Sequence, residues 1–361
     1  MEKSIFNRKD YKYMEIALNL GMRGMGFTEP NPMVGAVVVG NGEIISTGFH
    51  EKYGEKHAER SALETVNVKN TTIYVSLEPC AHHGLTPPCT DIIIKKGVER
   101  VVIPMKDPNP LVNGKGVAIL RENGIQVDVG TLRTEAEKIN RHYIKHITTK
   151  VPYVTVKAGV SIDGKLTDKN RRSQWITGEL SRKISHGLRG EFSAIMSGIG
   201  TVVADDPKLT LREEGWDGKS FSRVIVDTNN IIKKNLNIFK DENISPLIIF
   251  SAKGTEKNGK KVKEHYFVNR SDEGVDLNEV LKILSEKKIS SLLVEGGGVL
   301  IGSFLKHRLV DEIVLFIAGR IIGGFDSVQL FKDGFGLDNS LLLKDREIVE
   351  LDDGFILRGW F

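Results

Sequence analysis

Both cysteines of this 361-residue chain lie in one short segment, Cys80-Ala81-His82-His83-Gly84-Leu85-Thr86-Pro87-Pro88-Cys89. An apolar run over residues 72–77 precedes the segment and predicts a buried strand that ends at Glu78-Pro79. Upstream, His57-Ala58-Glu59 opens a helical pattern that continues to Thr65. The fold therefore has to bring a strand end and two helix starts together if these polar groups act as a unit.

One histidine and two cysteines are typical zinc ligands, so the sequence predicts one zinc ion bound by His57, Cys80 and Cys89. Three protein ligands leave the fourth tetrahedral position open for water, and zinc lowers the pKa of that water to about 7. Glu59 lies two residues from a ligand in the same helical turn. Its carboxylate could take the proton of the water and pass it to a substrate.

Other interpretations of these residues stay open at this point. A structural zinc site usually has four protein ligands, and only His82 or His83 could supply the fourth. A buried histidine beside two buried thiols would need no metal. The spacing of the two cysteines also departs from the Cys-x-x-Cys of the general nucleobase deaminase signature. Glu59 favours the catalytic interpretation, because a structural site needs no carboxylate there.

The first half of the chain alternates between strand and helix patterns, which predicts an α/β domain. Asn41-Gly42 is a strong hairpin signal between the first two strands. Strands are expected over residues 34–39, 43–47, 72–77, 101–103 and 126–129, and helices over 11–23, 57–65, 115–122 and 134–147, with another helix starting at Cys89.

Lys150-Val151-Pro152 predicts a linker, so we expect two domains, residues 1–147 and 152–361. Several strands of the second half are continuously apolar, as in parallel sheets. These are the strands expected over 223–227 and 246–250. Further strands are expected over 153–157, where the pattern alternates, and over 194–198 and 291–295. The last three strands, over 312–318, 347–351 and 355–359, are expected to close the sheet in antiparallel fashion.

A glycine run, Gly296-Gly297-Gly298, joins the strand over 291–295 to a predicted helix over 299–306. Backbone N–H groups at such a helix start can bind a phosphate. The run does not match Gly-x-Gly-x-x-Gly, and a tight turn without a ligand would also explain it. Three glycines exceed what a tight turn requires, which favours ligand contact.

Charge and hydropathy exclude some classes of function. The chain has 51 basic and 47 acidic side chains, a net charge of +4, and this small excess gives little support for a nucleic-acid partner. The N-terminus lacks the apolar core of a signal peptide, and runs such as residues 313–318 are too short to span a bilayer. We therefore expect a cytoplasmic enzyme that does not associate with a membrane.

The motifs of the first half resemble those of the deaminase half of the bifunctional riboflavin-biosynthesis deaminase–reductases, in which the longer cysteine spacing is usual. The matching strings are Glu29-Pro30-Asn31-Pro32-x-Val34-Gly35, His57-Ala58-Glu59, the Glu78 to Cys89 segment and Asp107-Pro108-Asn109-Pro110. The second half is similar to the reductase half of the same family, which is related in fold to dihydrofolate reductase. Its matches are Ser161-x-Asp163-Gly164-Lys165, Ser173-Gln174-Trp175-Ile176-Thr177, the Gly200 to Arg212 string and Val294-Glu295-Gly296-Gly297.

The resemblance implies a cytidine-deaminase-like α/β/α domain followed by a dihydrofolate-reductase-like α/β domain. It implies zinc ligation by His57, Cys80 and Cys89, with Glu59 as the catalytic proton shuttle. NADPH would contact Ala158, Trp175, Thr201, Asp205, Gly297 and Gly298. The substrate would contact Asn31, His50, Asp107 and Asn109 in the first half, and Lys157, Ser173, Arg189, Leu209, Arg212 and Glu295 in the second.

The implied substrate is a phosphorylated diaminopyrimidine, which the first half deaminates before the second reduces its ribosyl group with NADPH. A homo-oligomer is also expected. Leu85 stands where the family commonly has Lys or Arg, so phosphate recognition must rest on other groups or be weaker. Two rivals stay open: a tRNA-editing deaminase fused to an unrelated domain, and a zinc-stabilised nucleotide sensor without turnover.

Overall fold

The computed structural model describes residues 6–84, 86–211, 215–233, 235–240, 245–257, 262–332 and 334–361. The chain divides into two compact units, Met1–Lys150 and Val151–Phe361. The division falls within the segment 150–152. Over the described ranges, every helix is too short or too polar to cross a bilayer.

The first unit is a five-stranded sheet with the order β2-β1-β3-β4-β5. Strand β1 pairs antiparallel with β2 and β3, whereas β3, β4 and β5 are mutually parallel. Its elements are α1 (Arg8–Met22), β1 (Gly35–Gly40), β2 (Glu43–Phe49), α2 (Ala58–Leu63), β3 (Thr71–Val75), α3 (Cys89–Lys96), β4 (Arg100–Ile103), α4 (Lys115–Glu122), β5 (Gln126–Val129), α5 (Arg133–Ile139) and α6 (Arg141–Thr149).

Helices cover both faces of this sheet, which gives three layers. Ala62 of α2, Ile93 of α3 and Leu120 of α4 are buried in the core on one face. Met14 of α1 and Tyr143 of α6 are buried on the other face. Strand β1 is apolar because it is buried on both faces. Helices α2 and α3 lie in the same layer, and their first turns lie near the Cys80–Cys89 segment.

Gly48 fixes how closely α2 approaches the sheet. A Cβ atom at this position would lie 2.5 Å from the carbonyl oxygen of Ala58 and 2.6 Å from the nitrogen of Ala62. No side chain fits there, so β2 and α2 can touch through their backbones. This contact fixes the distance between the sheet and the start of α2, where His57 and Glu59 lie.

The single helix predicted over residues 134–147 is wrong, because α5 and α6 are separated at Asn140. The Asn140 side chain instead binds a distant loop: its Oδ1 accepts from the Met33 nitrogen at 2.8 Å, and its Nδ2 donates to the Met33 oxygen at 3.0 Å. A helical pattern in the sequence cannot reveal this long-range pairing. The helix predicted over 57–65 is shorter in the structure, where α2 spans Ala58–Leu63 and His57 is its N-cap.

The second unit is a nine-stranded sheet with the order β10-β9-β8-β7-β13-β6-β14-β16-β15, and β11 and β12 form a separate hairpin. Its strands are β6 (Tyr153–Ser161), β7 (Ala194–Gly198), β8 (Ser222–Val226), β9 (Leu247–Ala252), β10 (Glu264–Val268), β11 (Arg270–Ser271), β12 (Gly274–Val275), β13 (Ser291–Glu295), β14 (Glu312–Ala318), β15 (Asp345–Leu351) and β16 (Gly354–Trp360). Its helices are α7 (Glu179–Gly187), α8 (Ile199–Asp205), α9 (Leu277–Glu286) and α10 (Gly298–Lys306).

All three final strands form the expected antiparallel pairs, β14 with β16 and β16 with β15, but β14 also has a parallel neighbour that the sequence did not indicate. Strand β14 pairs in parallel with β6 and antiparallel with β16. The reason is the preceding helix: α10 forms a crossover between β13 and β14, and a crossover connection returns the chain in the same direction. The carboxyl ends of β6, β13, β7, β8 and β9 therefore meet at one edge of the sheet.

Asp10 joins α1 to the sheet of the first unit and gives a test of its packing. The fully buried carboxylate accepts from the Tyr74 hydroxyl at 2.8 Å and from Arg100 Nη1 at 2.7 Å. Burial alone would raise the pKa of Asp10, but the hydrogen bonds from Arg100, Asn7 and Tyr74 lower it. We expect Asp10→Ala to reduce the free energy of unfolding by about 3 kcal/mol, because Arg100 loses its buried partner.

Urea unfolding followed by circular dichroism measures this change. The stabilisation from Asp10 is fully present above the unfolded-state pKa of about 3.9 and is lost as the pH falls through the lower folded-state pKa. Asp128→Ala is the matched control, because Asp128 accepts from the same arginine at 2.7 Å but is partly exposed. Equal losses for the two variants would contradict the role assigned to Asp10.

Candidate active sites

The structure brings His57, Cys80 and Cys89 together in the first unit. Their ligand atoms lie within 4.8 Å of one another, and His57 Nδ1 is 3.5 Å from Cys80 Sγ and 3.3 Å from Cys89 Sγ. Zinc bound tetrahedrally at ordinary Zn–N and Zn–S lengths would separate such atoms by about 3.6 Å. The three side chains therefore fit a zinc ion with little movement.

Local structure explains why these three residues meet. His57 caps α2, and Cys89 is the first residue of α3. The nitrogens of Cys89 and Thr90 donate to the Cys80 oxygen at 3.1 and 3.3 Å, which ties the loop after β3 to the start of α3. The ten-residue cysteine segment thus closes on itself and presents both sulfurs to His57.

Thr86 orients the imidazole of His57. Its hydroxyl lies 3.3 Å from His57 Nε2, so Nδ1 is the nitrogen that faces the two sulfurs. Metal-binding histidines commonly use their second nitrogen in this way. His82 and His83 are exposed, and the metal-ligating group found among the described residues contains three side chains. The arrangement favours an open fourth position over a structural site with four protein ligands.

Glu59 lies beside this group with its carboxylate prepared to accept a proton. The residue is only 3% exposed, and its Oε2 is a buried atom without a hydrogen-bond partner in the described part of the chain. Burial, reinforced by the negative charge of Cys80, raises the pKa of Glu59 to about 7. A buried carboxylate next to three metal ligands is what a proton shuttle requires.

Asn31 and His50 form a polar pair next to the metal ligands. Asn31 Nδ2 is 3.2 Å from His50 Nε2, and the His50 ring centroid is 5.3 Å from that of His57. His50 Nδ1 lies 3.0 Å from the Lys56 oxygen, and burial lowers the pKa of His50. The two expected substrate contacts of the N-terminal loops are therefore adjacent to the expected zinc site.

Glu78, which the sequence analysis gave no role, anchors the loop that carries Asp107 and Asn109. Its carboxylate accepts from the nitrogens of Asp107 and Gly114, both at 2.9 Å, and of Val117 at 3.0 Å. Glu78 comes directly before Pro79-Cys80, and this position in the sequence could have indicated a role near the metal ligands. Because Glu78 follows β3, it ties the 107–114 loop to the strand that leads into the cysteine segment.

Tyr143 is a second residue that the sequence did not reveal. Its hydroxyl donates to Asp107 Oδ1 at 2.8 Å, and the Asn109 nitrogen donates to the same oxygen at 2.9 Å. Burial raises the pKa of Asp107, while these hydrogen bonds oppose that change. The carboxylate of Asp107 is therefore held by its own loop and by α6.

In the second unit, Lys157, Arg189 and Glu295 form a buried charged cluster. Glu295 at the end of β13 is the register neighbour of Lys157 on β6. Arg189 binds Glu295 with two parallel hydrogen bonds of 2.9 Å, and Lys157 Nζ lies 3.1 Å from Glu295 Oε2. Burial would raise the pKa of Glu295, but the charges of Arg189 and Lys157 lower it; burial lowers the pKa of Lys157.

Arg189 was expected to contact the substrate, and in the structure its guanidinium is buried against protein groups. Besides the two bonds to Glu295, its Nη1 donates to the Thr210 oxygen at 3.0 Å. This last bond fixes the backbone next to Leu209, which is buried. In this structure Arg189 positions Glu295 and the 209–210 segment.

The glycine turn after β13 meets the turn after β7. The Gly297 nitrogen donates to Thr201 Oγ1 at 3.0 Å. A Cβ atom at Gly296 would lie 3.3 Å from Ser197 Oγ, which is a buried hydroxyl without a partner within the described ranges. A glycine turn that is exposed at Gly297 and lies beside the unpartnered Ser197 hydroxyl fits the phosphate groups of a dinucleotide. Gly297 is thus brought to Thr201, whereas a Cβ atom at Gly298 would lie 2.3 Å from the Gln329 oxygen. Ser197 is an addition that the sequence did not suggest.

The remaining expected contacts are more dispersed. Ala158 is buried on β6, and Trp175 is 61% exposed, with the Arg182 guanidinium 4.3 Å from its ring centroid. Ser173 and Asp205 are exposed. Arg212 and Leu85 lie outside the described residues. The residue Asp353 was missed: its carboxylate accepts from the Gly178 nitrogen and from Ser181 Oγ, and so holds the segment that follows Trp175.

Comparisons with known proteins match a different family model within each unit. Residues 7–105 match the cytidine and deoxycytidylate deaminase zinc-binding region, and residues 152–357 match the RibD C-terminal domain. The riboflavin biosynthesis protein RibD of Aquifex aeolicus is 41% identical over 351 residues, covering 96% of this chain and 97% of the relative. RibD of Escherichia coli is 37% identical over 331 residues, covering 87% and 89%.

Two solved structures are similar to nearly the whole chain. The chain resembles a Thermotoga maritima diaminohydroxyphosphoribosylaminopyrimidine deaminase/5-amino-6-(5-phosphoribosylamino)uracil reductase with a TM-score of 0.85, 36% identity and 98% coverage of both chains. Acinetobacter baumannii RibD gives a TM-score of 0.87 at 33% identity, with coverage of 98% and 99%. The expected fold class, a cytidine-deaminase-like domain followed by a reductase domain, is confirmed. The chain belongs to the RibD family, bifunctional enzymes of riboflavin biosynthesis that combine a zinc-binding deaminase domain with an NADPH-dependent reductase domain.

Proposed function

We propose that residues 1–147 deaminate 2,5-diamino-6-ribosylamino-4(3H)-pyrimidinone 5′-phosphate by hydrolysis, and that residues 152–361 then reduce its ribosyl group to ribityl. The observation that carries the proposal is the group of His57, Cys80 and Cys89 with Glu59 beside it, whose buried Oε2 has no hydrogen-bond partner in the described part of the chain. The similar protein of Thermotoga maritima is named for the same pair of activities, a deaminase and a reductase.

Glu59 would do the proton chemistry of the first reaction. Zinc, when bound by His57, Cys80 and Cys89, supplies a Lewis acid that activates water. The Glu59 carboxylate accepts a proton from the attacking water, donates it to the ring nitrogen, and helps to transfer a second proton to the leaving amine. Its raised pKa of about 7 suits both directions of transfer near neutral pH.

Polar groups around the zinc site would recognise the pyrimidine and its ribose phosphate. Asn31, His50, Asp107 and Asn109 offer both donors and acceptors, which an aminopyrimidine requires. Asn31 and His50 already contact each other next to His57, and Glu78 fixes the loop of the other two. Their arrangement supports a small heterocyclic substrate in the first unit.

In the second unit, reduction of the ribosyl group requires one hydride and one proton. NADPH, when bound, supplies the hydride to C1′ of the sugar. As the bond between C1′ and the ring oxygen breaks, the oxygen takes a proton and becomes a hydroxyl group of the ribityl chain. Lys157 is the proton donor in this proposal, because its ammonium group is buried beside Glu295 and burial lowers its pKa.

The other assignments belong to the same proposal. NADPH contacts Ala158, Trp175, Thr201, Asp205 and the Gly297-Gly298 turn. The substrate contacts Ser173, Arg189, Leu209, Arg212 and Glu295, and Arg189 also positions Glu295 through their two hydrogen bonds. The proposal also includes a cytoplasmic location and a homo-oligomeric assembly. Sedimentation of the purified protein measures the assembly directly.

Replacement of Glu59 tests the deaminase assignment. We expect Glu59→Gln to lower ammonia release from the phosphorylated diaminopyrimidine by about 10³-fold, since general acid–base catalysis typically contributes 10² to 10⁴. Metal analysis should still find one zinc per chain, because the ligands are unchanged. NADPH oxidation with already deaminated substrate should equal that of the wild type.

Separate assays of ammonia and NADPH distinguish the rival functions. A wild-type protein that binds zinc but releases no ammonia would be a sensor, and one that deaminates only tRNA would be an editing enzyme. Either result would contradict the proposal for residues 1–147.

Replacement of Lys157 tests the reductase assignment. We expect Lys157→Met to lower kcat for NADPH oxidation by about 10²-fold, because the buried proton donor is lost. Ammonia release by the first unit should not change. Lys287→Met is the control, since Lys287 pairs with Glu264 at 2.6 Å on the edge strand β10. Equal rates for the two variants would remove Lys157 from the mechanism.

A further inference from the structure

The order of the parallel strands in the second unit indicates in which direction a bound dinucleotide runs across the strand ends. Strands β6, β13, β7, β8 and β9 are neighbours in this order, roughly 4.8 Å apart, and end at the same edge. In the proposed function Lys157 on β6 donates the proton, so the nicotinamide that supplies the hydride lies at β6. The pyrophosphate then lies at the turns after β13 and β7, where Gly297 meets Thr201. Because the pyrophosphate joins the two halves of a dinucleotide, the adenosine half continues towards β8 and β9. Ligands of open α/β sheets bind along this carboxyl edge.

A compact group of turns lies at the ends of β8 and β9. The turn over Asp227–Asn230 follows β8 and closes with the Asn230 nitrogen donating to the Asp227 oxygen at 2.9 Å. The Ala252 nitrogen at the end of β9 donates to the Thr228 oxygen at 3.0 Å. These bonds join the ends of the two strands into one rigid surface.

The hairpin of β11 and β12 packs directly on this surface. Gly274 has a φ of 145°, and a Cβ atom there would lie 2.9 Å from Thr228 Oγ1. Only glycine permits this approach. The hairpin is thereby held over the turn that follows β8, and it carries Arg270.

Arg270 places a positive charge beside the turn that follows β8, at the carboxyl edge of the sheet. The side chain is exposed, and its Nη2 donates to Asn229 Oδ1, a neutral acceptor, at 3.0 Å. Among the described side chains, no carboxylate forms an ion pair with it. The neighbouring Lys253 differs, because its Nζ binds Asn269 Oδ1 at 2.9 Å and lies 3.7 Å from Glu279 Oε1. Arg270 therefore keeps most of its donors and its uncompensated charge.

We propose that Arg270 binds the 2′-phosphate of the NADPH adenosine and makes the reductase prefer NADPH to NADH. The inference rests on the proposed function, which places the nicotinamide end at β6. A guanidinium matches a phosphate with two parallel hydrogen bonds, and the dinucleotide without this phosphate offers only a hydroxyl group there. Asn229 orients the side chain from the turn after β8, and Gly274 fixes the hairpin that carries it.

Calorimetric titration with 2′,5′-ADP tests the site without turnover, since this probe carries the 2′-phosphate and lacks nicotinamide. We expect Arg270→Gln to weaken its binding by about 10- to 100-fold, as for the loss of hydrogen bonds to a charged group. Binding of 5′-ADP, which has no 2′-phosphate, should not change. Arg270→Lys should retain a large part of the affinity, because the positive charge remains.

Arg308→Gln is the matched control. Arg308 is also an exposed arginine bound to a neutral acceptor, the Asn339 oxygen at 2.7 Å, but it follows the carboxyl end of α10. In steady-state assays, Arg270→Gln should lower the ratio of kcat/KM for NADPH over NADH by about the same factor as it weakens 2′,5′-ADP. Arg308→Gln should leave that ratio unchanged.

The outcomes separate this inference from the proposed function. A wild-type protein that oxidises neither dinucleotide contradicts the proposed reductase. If the wild type prefers NADPH and Arg270→Gln keeps both that preference and the affinity for 2′,5′-ADP, the reductase stands and the role of Arg270 is overturned. Equal thermal unfolding midpoints for wild type and Arg270→Gln show that the loss arises at the binding site.

Discussion

A buried carboxylate at the end of a parallel strand holds the functional loops in each unit. Glu78 follows β3 and accepts three backbone N–H groups of the 107–117 segment, and Glu295 ends β13 and binds Lys157 and Arg189. A buried charge is tolerated only when its hydrogen bonds are satisfied. The loops therefore cannot move without exposing an unpaired carboxylate, and this requirement makes the surrounding site rigid.

The metal-binding group depends on that rigidity. The cysteine segment closes through the bonds of Cys89 and Thr90 to the Cys80 oxygen, and Glu78 connects the same segment to the loop of Asp107. Asn140 binds the backbone of Met33 and so fixes the loop that carries Asn31. Catalysis gains from such support, because ligands and proton donors must be held within a fraction of an ångström of their working positions.

Glu59 and Glu295 are both buried, but the pKa of the two carboxyl groups shifts in opposite directions. Glu59 has no cationic partner at its buried Oε2, so burial raises its pKa and suits it to proton transfer. Glu295 is equally buried, but two cations lower its pKa and keep it charged. The same residue type thus has a raised pKa in one unit and a lowered pKa in the other, and neighbouring charges make the difference.

The sequence by itself determined the chemistry of the zinc site and the presence of most elements. Two cysteines, one histidine and Glu59 are specified by residue type and spacing, and apolar runs specify strands because burial on both faces requires them. It did not reveal the end of a helix at Asn140, the parallel direction of β14, or the roles of Glu78, Tyr143 and Arg189. Those features depend on partners 21 to 157 residues away along the chain. Only the tertiary structure decided them, because a hydrogen bond between distant residues exists only after the intervening chain has folded and leaves no periodic pattern in the sequence.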